Sequence, residues 1–297
     1  MSCGGNCGCG NREGNRAAPE SPAQPDRRAM LGTALGAGIA ALLGRSWLRA
    51  EAAEPAKTAL PGDPPKRPMK WGMVIDLDRC DGCGACALAC RNENNIPISG
   101  PEQTDLDRGI FWMDLLKVRE GTFPDFTEQV IPTPCNHCED APCVKVCPVE
   151  ATFITEDGIV GQVPSRCIGC RFCTVACPYA RRYFNWEDPK YSEAQLNRLN
   201  PDVALRPVGT VEKCLFCDHR IRKVREAAES DGRLIKDEEV RLLPACAETC
   251  PTSAIVFGDL NDPDSEVSRK TRDPRAFRLL EELGTKPKVS YLRRERW

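Results

Sequence analysis

Residues 167–178 read CIGCRFCTVACP, which is the spacing C-x2-C-x2-C-x3-C followed by proline. Three related runs lie at residues 80–90, at residues 135–148 and, split by 28 residues, at residues 214–217 and 246–251. Three thiolates spaced this closely in a tight loop can bind three iron corners of one cube, while the cysteine beyond x3 points toward a neighbouring cube. The proline ends the intervening short helix because it lacks an N–H and fixes φ. The four runs therefore predict cubane iron–sulfur clusters.

The fourth cysteine of each run points to the cluster of another run, so the runs must form pairs. Between the second and third runs, residues 151–155 and 159–163 resemble two β-strands around Glu156-Asp157-Gly158, which predicts a hairpin. The second and third runs are therefore expected to form one two-cluster unit of the ferredoxin kind. Strand candidates at residues 73–77 and 254–257 flank the first and fourth runs. They indicate a second unit that encloses the first one in sequence.

The predicted fold class is α+β, with two ferredoxin-like two-cluster units, one nested in the sequence of the other, and with insertions that bind partners. The outer unit comprises residues 70–134 and 208–262, the inner unit comprises residues 135–190, and residues 263–297 form a C-terminal extension. The pairing also predicts the ligands of four [4Fe–4S] clusters. The four ligand groups are Cys80, Cys83, Cys86 and Cys250; Cys214, Cys217, Cys246 and Cys90; Cys135, Cys138, Cys143 and Cys177; and Cys167, Cys170, Cys173 and Cys147.

Disulfide bonding and zinc binding are the two other common uses of many cysteines. The chain has 19 cysteines in 297 residues, a count that in a small secreted protein suggests disulfides. Zinc sites usually pair two C-x2-C knuckles across a longer gap and do not need this four-cysteine pattern four times over. The spacing therefore favours clusters. Lys and Arg number 41 against 43 Asp and Glu, so no strong field favours a nucleic-acid partner.

The first 52 residues are predicted to be a disordered leader that carries a twin-arginine export signal. Arg27-Arg28 precede a Gly/Ala-rich apolar run at residues 30–44, which is shorter than a membrane span of roughly 20 residues. Residues 50–52 resemble a small-x-small cleavage site, although arginines between the run and this site leave an uncleaved anchor as the alternative. Export of a folded protein suits a chain that acquires its clusters in the reducing cytoplasm. Three leader cysteines fit no cluster loop: Cys3, Cys7 and Cys9.

At the four runs the protein resembles the four-cluster iron–sulfur subunits of the complex iron–sulfur molybdoenzyme group, such as polysulfide, tetrathionate and dimethyl sulfoxide reductases. The similarity extends from about Trp71 to Tyr291. It is closest to the iron–sulfur parts of complexes with an NrfD-type membrane subunit, namely alternative complex III and the periplasmic quinone reductase complex. Six segments carry it: WGMVID at 71–76, ENNIP at 93–97, CNHC at 135–138, CPY at 177–179, FNW at 184–186 and FGDLNDP at 257–263.

The resemblance implies an electron-transfer subunit of a respiratory complex. It would relay single electrons between an integral-membrane, quinone-interacting NrfD-type subunit and a molybdopterin-type or multihaem cytochrome partner. Such a subunit lies peripherally on the periplasmic side of the cytoplasmic membrane. In alternative complex III the third run lacks its second cysteine and holds a [3Fe–4S] cluster, whereas Cys170 is present here, so four [4Fe–4S] clusters are expected. The alternative is a stand-alone iron–sulfur reductase with one substrate-accessible cluster, although the sequence shows no nucleophile–base pair, nucleotide loop or open metal position.

Three basic residues near the fourth run are candidates for offsetting the negative charge of a cluster and raising its potential: Lys213, Arg220 and Arg222. A solvated helix face is the alternative reading of this basic stretch. His137 lies between two predicted ligands and is expected to form a hydrogen bond or to lie at the surface rather than to bind iron.

The sequence also predicts the roles of two further segments, one after the third run and one near the C-terminus. Arg181, Arg182 and the aromatic residues that follow them are expected to shield the third run from water, with partner docking as the alternative. The apolar residues at 277–280, together with Leu283, suggest a short amphipathic helix near the C-terminus.

Overall fold

The structure of the protein is a computed structural model that describes residues 69–295. The predicted leader, its export signal and its three cysteines lie outside these residues. The helices of the described residues are α1 Ala85–Glu93, α2 Pro101–Asp105, α3 Pro142–Lys145, α4 Phe172–Ala176, α5 Glu193–Leu196, α6 Asp218–Ser230, α7 Asp237–Val240, α8 Ala245–Glu248 and α9 Glu266–Thr271. The strands are β1 Trp71–Asp76, β2 Met113–Thr122, β3 Asp125–Pro134, β4 Thr152–Ile154, β5 Val160–Gln162, β6 Tyr183–Phe184, β7 Val211–Glu212, β8 Ile255–Asp259, β9 Ala276–Phe277 and β10 Val289–Leu292.

The largest sheet has four strands in the order β8-β1-β10-β9. Strand β1 is buried along its whole length, as expected of a nearly continuous apolar run. It pairs antiparallel with β8, from Trp71 opposite Asp259 to Ile75 opposite Ile255. The strands predicted near residues 73–77 and 254–257 are therefore confirmed, with boundaries shifted by one or two residues. Their pairing places the cysteines that follow β1 beside the cysteine that precedes β8.

The predicted inner hairpin is also confirmed. Strands β4 and β5 pair antiparallel, and the turn between them contains Gly158 at a φ of +81°, where glycine is favoured. Asp157 in the same turn is buried and accepts a hydrogen bond of 2.6 Å from the indole Nε1 of Trp71. It also forms an ion pair with Arg225 of helix α6. One carboxylate thus joins the hairpin between the second and third runs to β1 and to the helix after Cys217.

The stretch between the first and second runs folds into the long hairpin β2–β3, whose ten-residue strands pair along their full length. The base of this hairpin packs on the loop of the first run. A Cβ atom added to Gly82 would lie 3.0 Å from the Val130 side chain, and one added to Gly84 would lie 3.4 Å from Leu115. The insertion therefore covers one face of the first cysteine loop, in addition to any role in partner contact.

The helix expected at residues 277–280 is wrong. Phe277 instead ends strand β9, which pairs with β10, and its ring packs against Tyr291 at 5.6 Å between centroids. Leu280 has a left-handed φ of +49°, which interrupts an α-helix, and only a 3-10 turn follows at Glu281–Leu283. Pairing with the sheet takes the backbone hydrogen bonds that a helix would need. The C-terminal segment accordingly supplies a central strand of the main sheet, β10, in which every residue is buried.

Within residues 69–295, no helix combines the length and the apolar character that crossing a bilayer requires. Helices and strands alternate along these residues, and all of the strand pairings except that of β1 with β10 are antiparallel, which is consistent with the predicted α+β class.

Replacement of Phe257 by alanine tests how much the packing of its ring stabilises the main sheet. Phe257 is fully buried, stacks on Trp71 at 5.4 Å and meets Phe216 edge-on at 5.2 Å. Phe257→Ala should lower the free energy of unfolding by about 3–5 kcal/mol because it leaves a cavity among these rings. The denaturant midpoint of the loss of visible absorbance measures this change. Phe123→Ala, at a side chain that is 89% exposed, is the matched control and should change the free energy by less than about 0.5 kcal/mol.

Candidate metal centres

The cysteines of the first run occupy the loop between β1 and α1. Four cysteines line one small cavity, namely Cys80, Cys83, Cys86 and Cys250. Cys250 reaches this cavity because β8, which follows it, pairs with β1. Burial, together with the nearby charges of Cys80 and Cys250, raises the pKa of Cys86 to about 12. Three cysteines of the first run and the last cysteine of the fourth run thus converge.

The second group forms where helix α1 meets the fourth run. Burial raises the pKa of Cys90 far above its usual value, and the thiolates of Cys214, Cys217 and Cys246 raise it further. The amide Nδ2 of Asn94 lies 3.7 Å from the sulfur of Cys90 and 3.7 Å from that of Cys217. Cys90 is therefore turned away from the loop of its own run and toward the cysteines of the fourth.

The third group lines a second small cavity. Its cysteines are Cys135, Cys138, Cys143 and Cys177. Burial raises the pKa of Cys138 to about 12, and the thiolate charges of its neighbours, Cys135 before Cys143 and Cys177, contribute to the increase. The second run is thus joined by the final cysteine of the third run, as the sequence predicts.

The fourth group is the least enclosed. Burial raises the pKa of Cys173, with Cys143 and Cys167 adding to the increase, whereas Cys170 is exposed. Burial raises the pKa of Cys147. Hydrogen bonds from the backbone of Thr152, Val149 and Ala151 outweigh that effect, so that its pKa is lowered overall. The described contacts of Cys147 are therefore to groups of residues 149–152 and not to the cysteines of the third run, so its place in this group stays a prediction.

The donor sets fit cubane clusters. The sixteen cysteines of the described residues are free thiols, without disulfides. Among those residues, no three His, Cys, Asp or Glu side chains come close enough to share a single metal ion. The four cysteines of a cube bind four different iron atoms, so they stand farther apart than the ligands of one ion. Two small cavities, each lined by four cysteines, have the thiol donors for such a group.

Electrostatic interactions between cysteines of different groups indicate the order of the groups. Cys143 of the second run acts on Cys173 of the third by raising its pKa. Cys135 of the second run has the same effect on the pKa of Cys214, where it is the largest influence after burial. Cys86 of the first run in turn raises the pKa of Cys246. The groups therefore follow one another in the order fourth, third, second and first. In terms of the cysteine runs on which they are built, this order is third run, second run, fourth run and first run.

The three predicted tuning residues occupy different environments. Lys213 is fully buried, and its Nζ donates a hydrogen bond of 2.7 Å to the backbone oxygen of Cys214. Arg220 is held by Glu93 and Glu248, and its hydrogen bonds to Glu93 raise its pKa most. Arg222 has a side chain that is 57% exposed and pairs with Asp218. The surface position of Arg222 favours the alternative of a solvated helix face for this residue.

His137 forms the hydrogen bond that the sequence led us to expect, and it is not at the surface. Its Nδ1 accepts a hydrogen bond of 3.1 Å from the backbone N–H of Val160, and its ring stacks on Phe216 at 3.8 Å. Burial lowers the pKa of His137 well below its usual value, and the charges of Lys213 and other cations lower it further. The ring is thus a neutral packing element between the second and fourth runs.

Arg182 makes a contact with the second run that the sequence did not predict. It was expected only to shield the third run, yet its Nη2 lies 3.0 Å from the sulfur of Cys143, and the side chain is buried. Nothing in the spacing of residues 181–186 separates it from the adjacent Arg181, which instead pairs with Asp114. The difference depends on which arginine the backbone turns toward the second run.

Comparison with known proteins identifies the family. Two family descriptions, each named 4Fe-4S dicluster domain, match residues 79–151 and residues 126–208. The iron–sulfur cluster-binding subunit of menaquinone reductase from Nitratidesulfovibrio vulgaris is 46% identical over 234 residues, which cover 77% of this chain and 91% of that protein. The protein belongs to the iron–sulfur subunits of the complex iron–sulfur molybdoenzyme group.

Other relatives of this iron–sulfur subunit carry similar names. The arsenate respiratory reductase iron-sulfur subunit ArrB of a Shewanella species is 40% identical over 253 residues, covering 76% of this chain and 97% of that protein. The B subunit of tetrathionate reductase from Salmonella typhimurium is 36% identical over 225 residues, with 75% and 72% covered. Both dicluster matches end before the fourth run, so the placement of its cysteines rests on the geometry above.

The crossover of Cys90 can be tested with single ligand variants of the iron–sulfur subunit. Cys90→Ser and Cys246→Ser should alter the same EPR signal of the reduced protein, because both cysteines lie in the second group. Cys83→Ser is the control and should alter a different signal, although Cys83 and Cys90 belong to the same run. If Cys90→Ser and Cys83→Ser changed one common signal and left that of Cys246→Ser intact, each run would bind its own cluster and the crossover would be refuted.

Proposed function

We propose that this iron–sulfur subunit relays single electrons through four [4Fe–4S] clusters in a respiratory complex. Its partners in this proposal are an integral-membrane, quinone-interacting NrfD-type subunit and a molybdopterin-type or multihaem cytochrome subunit. The observation that carries the proposal is the series of cysteine groups, in which the loops of successive runs pack together and the charge of a cysteine in one group acts on a cysteine of the next. The names of the relatives, which are subunits of menaquinone, arsenate and tetrathionate reductases, support it.

The proposed ligand assignment gives each run one cysteine from its partner run. Cys250 completes the first group, Cys90 the second, Cys177 the third and Cys147 the fourth. The nested arrangement of two ferredoxin-like units follows from this assignment, and the pairing of β1 with β8 across the inner unit supports it. Bound clusters would supply one-electron acceptors and donors.

The two ends of the series are suited to partner contact. Cys83 in the first group and Cys170 in the fourth group are both exposed. Around Cys170 the side chains of Ile168, Phe172 and Val175 are 65%, 61% and 87% exposed. Apolar side chains gathered at an exposed site are typical of surfaces that another protein covers. These positions would let one partner donate electrons at one end while the other accepts them at the opposite end.

The proposed location is the periplasmic face of the cytoplasmic membrane, where the protein is held peripherally after twin-arginine export. The support is the sequence Arg27-Arg28 before a short apolar run. Export in the folded state allows cluster insertion to precede translocation, which protects sixteen thiols from oxidation.

Removal of one cluster ligand in the middle of the series distinguishes a relay from a stand-alone reductase. In the assembled complex, Cys138→Ala should lower quinol-linked electron transfer by at least about 100-fold, because it removes a ligand of a cluster through which electrons must pass. Activity of the catalytic partner with an artificial dye should stay near the wild-type rate. Turnover of a terminal acceptor by the isolated, cluster-loaded protein would contradict the relay and favour the stand-alone enzyme.

The export route has a separate test. Replacing Arg27-Arg28 with two lysines should retain the folded, cluster-loaded protein in the cytoplasm, because the twin-arginine route recognises the arginine pair. Cell fractionation with immunodetection of the protein measures the result, and a cytoplasmic marker enzyme controls for lysis. Unchanged periplasmic delivery of the lysine variant would refute the proposed route.

A further inference from the structure

Arg182 is a buried cation that lacks a carboxylate partner among the ion pairs of residues 69–295. Its side chain is 6% exposed. Its Nη1 donates to Thr152 Oγ1 and to Gln162 Oε1, both at 3.0 Å, and its Nη2 donates to the Cys143 sulfur at 3.0 Å. A buried guanidinium stays charged, so it needs a nearby negative charge to offset the loss of hydration. The anionic atoms that the structure places near Arg182 are cysteine sulfurs.

Those sulfurs belong to two different cysteine groups. Burial disfavours the charge of Arg182, but the thiolates of Cys143 and then Cys173 outweigh burial and raise its pKa. Conversely, burial raises the pKa of Cys173, and the charge and hydrogen bond of Arg182 are the main opposing influences. Cys143 comes from the second run and Cys173 from the third. Arg182 therefore lies where these two groups meet.

Lys213 occupies the corresponding position on the other side of the second run. It is 0% exposed, and the one described hydrogen bond of its Nζ goes to the neutral backbone oxygen of Cys214. Lys213 directly precedes Cys214, and the stacking of His137 on Phe216 at 3.8 Å places the second run beside this segment, where the charges of Cys135 and Cys143 act on Lys213. Cys135 and Cys143 belong to the second run, whereas Cys214 belongs to the fourth. Lys213 therefore lies between the second run and the fourth.

Arg220 of the same protein provides a comparison for the ion-pair partners of these two cations. It contacts Glu93 and Glu248, so its charge is matched by carboxylates. Arg181, the neighbour of Arg182, is likewise paired with Asp114 at 2.6 Å. Arg182 and Lys213 differ from both because each is buried and each has sulfur atoms of two groups as its anionic surroundings. A cube with four thiolates is anionic and becomes more negative by one charge when it accepts an electron.

We propose that Arg182 and Lys213 are positioning residues, each shared by two neighbouring clusters, and that each raises the reduction potential of both. Arg182 acts on the clusters of the third and second runs, and Lys213 acts on those of the second and fourth. Reduction adds one electron to a cluster, and the buried cation stabilises that added negative charge. The cluster of the second run is the one that both cations influence. This inference rests on the proposed four-cluster content.

The experiment is an EPR-monitored redox titration of the cluster-loaded protein and its variants. Arg182→Gln should lower two of the four midpoint potentials, each by an amount equivalent to at least a tenfold change in the reduction equilibrium, which is about 59 mV for one electron. Lys213→Gln should lower a different pair by a comparable amount. The two pairs should have one signal in common. Arg182→Lys, which keeps the charge, should restore most of the shift.

Exposed residues of the same types provide matched controls. Arg119→Gln and Lys223→Gln also remove one positive charge, but these side chains are 63% and 62% exposed and paired with carboxylates. Water and salt screen charges at such positions, so all four potentials should stay within the error of the titration. Iron and acid-labile sulfide contents equal to those of the wild type establish that a variant has kept its clusters.

If Arg182→Gln loses iron, Gln162→Glu tests the same point without removing the arginine. Glutamate at position 162 has the shape of glutamine and places a carboxylate where the Arg182 Nη1 now donates to an amide oxygen. It should lower the same two potentials. Intact clusters with unshifted potentials, or shifts confined to one cluster or spread equally over all four, would overturn the inference. A wild-type protein that titrates fewer than four clusters would instead refute the proposed function.

Discussion

Four thiolates that must converge on one cluster from distant parts of the sequence impose the main constraint on this fold. Cys250 lies 170 residues after Cys80, yet both line one cavity. The pairing of β1 with β8 makes this possible, because it places the end of one strand beside the start of the other. Free energy of cluster binding is in this way also free energy of folding, since the ligands are brought together only in the folded protein.

The same constraint explains how the two halves of the protein are joined. The hairpin β4–β5 is short, but Asp157 in its turn binds Trp71 of β1 and Arg225 of α6. His137, between two cysteines of the second run, stacks on Phe216, between two cysteines of the fourth. Residues interleaved with the ligands thus pack the cysteine loops against each other, and the clusters are expected to lie close enough for electron transfer.

Burial has a chemical consequence for assembly. It raises the pKa of Cys86, Cys138 and Cys214 to about 12, so in the absence of iron these thiols are protonated at neutral pH. Only thiolates bind iron, and cluster insertion must therefore release protons. The charge of the thiolates then has to be matched in a poorly hydrated interior. Arg182 and Lys213, buried without carboxylate partners among the described residues, meet that requirement.

The local sequence was sufficient to predict the β4–β5 hairpin and the strands near residues 73–77 and 254–257, because β-like stretches and a glycine-containing turn leave a local pattern. The strand β10 could not be predicted in this way, since its place beside β1 depends on a parallel pairing over more than 200 residues. The role of Arg182 depends on side-chain direction, which the sequence Arg181-Arg182 does not encode. The grouping of Cys147 with the third run remains a prediction, because its described contacts are to residues 149–152.

The central claim is that sixteen cysteines hold four [4Fe–4S] clusters in one polypeptide. Iron and acid-labile sulfide analysis of the anaerobically purified protein, combined with EPR of the oxidised state, tests it most directly. The predicted result is about sixteen iron and sixteen sulfide per polypeptide, with no substantial three-iron signal before reduction. A dominant three-iron signal in intact oxidised protein, or zinc in place of iron and sulfide, would contradict the account.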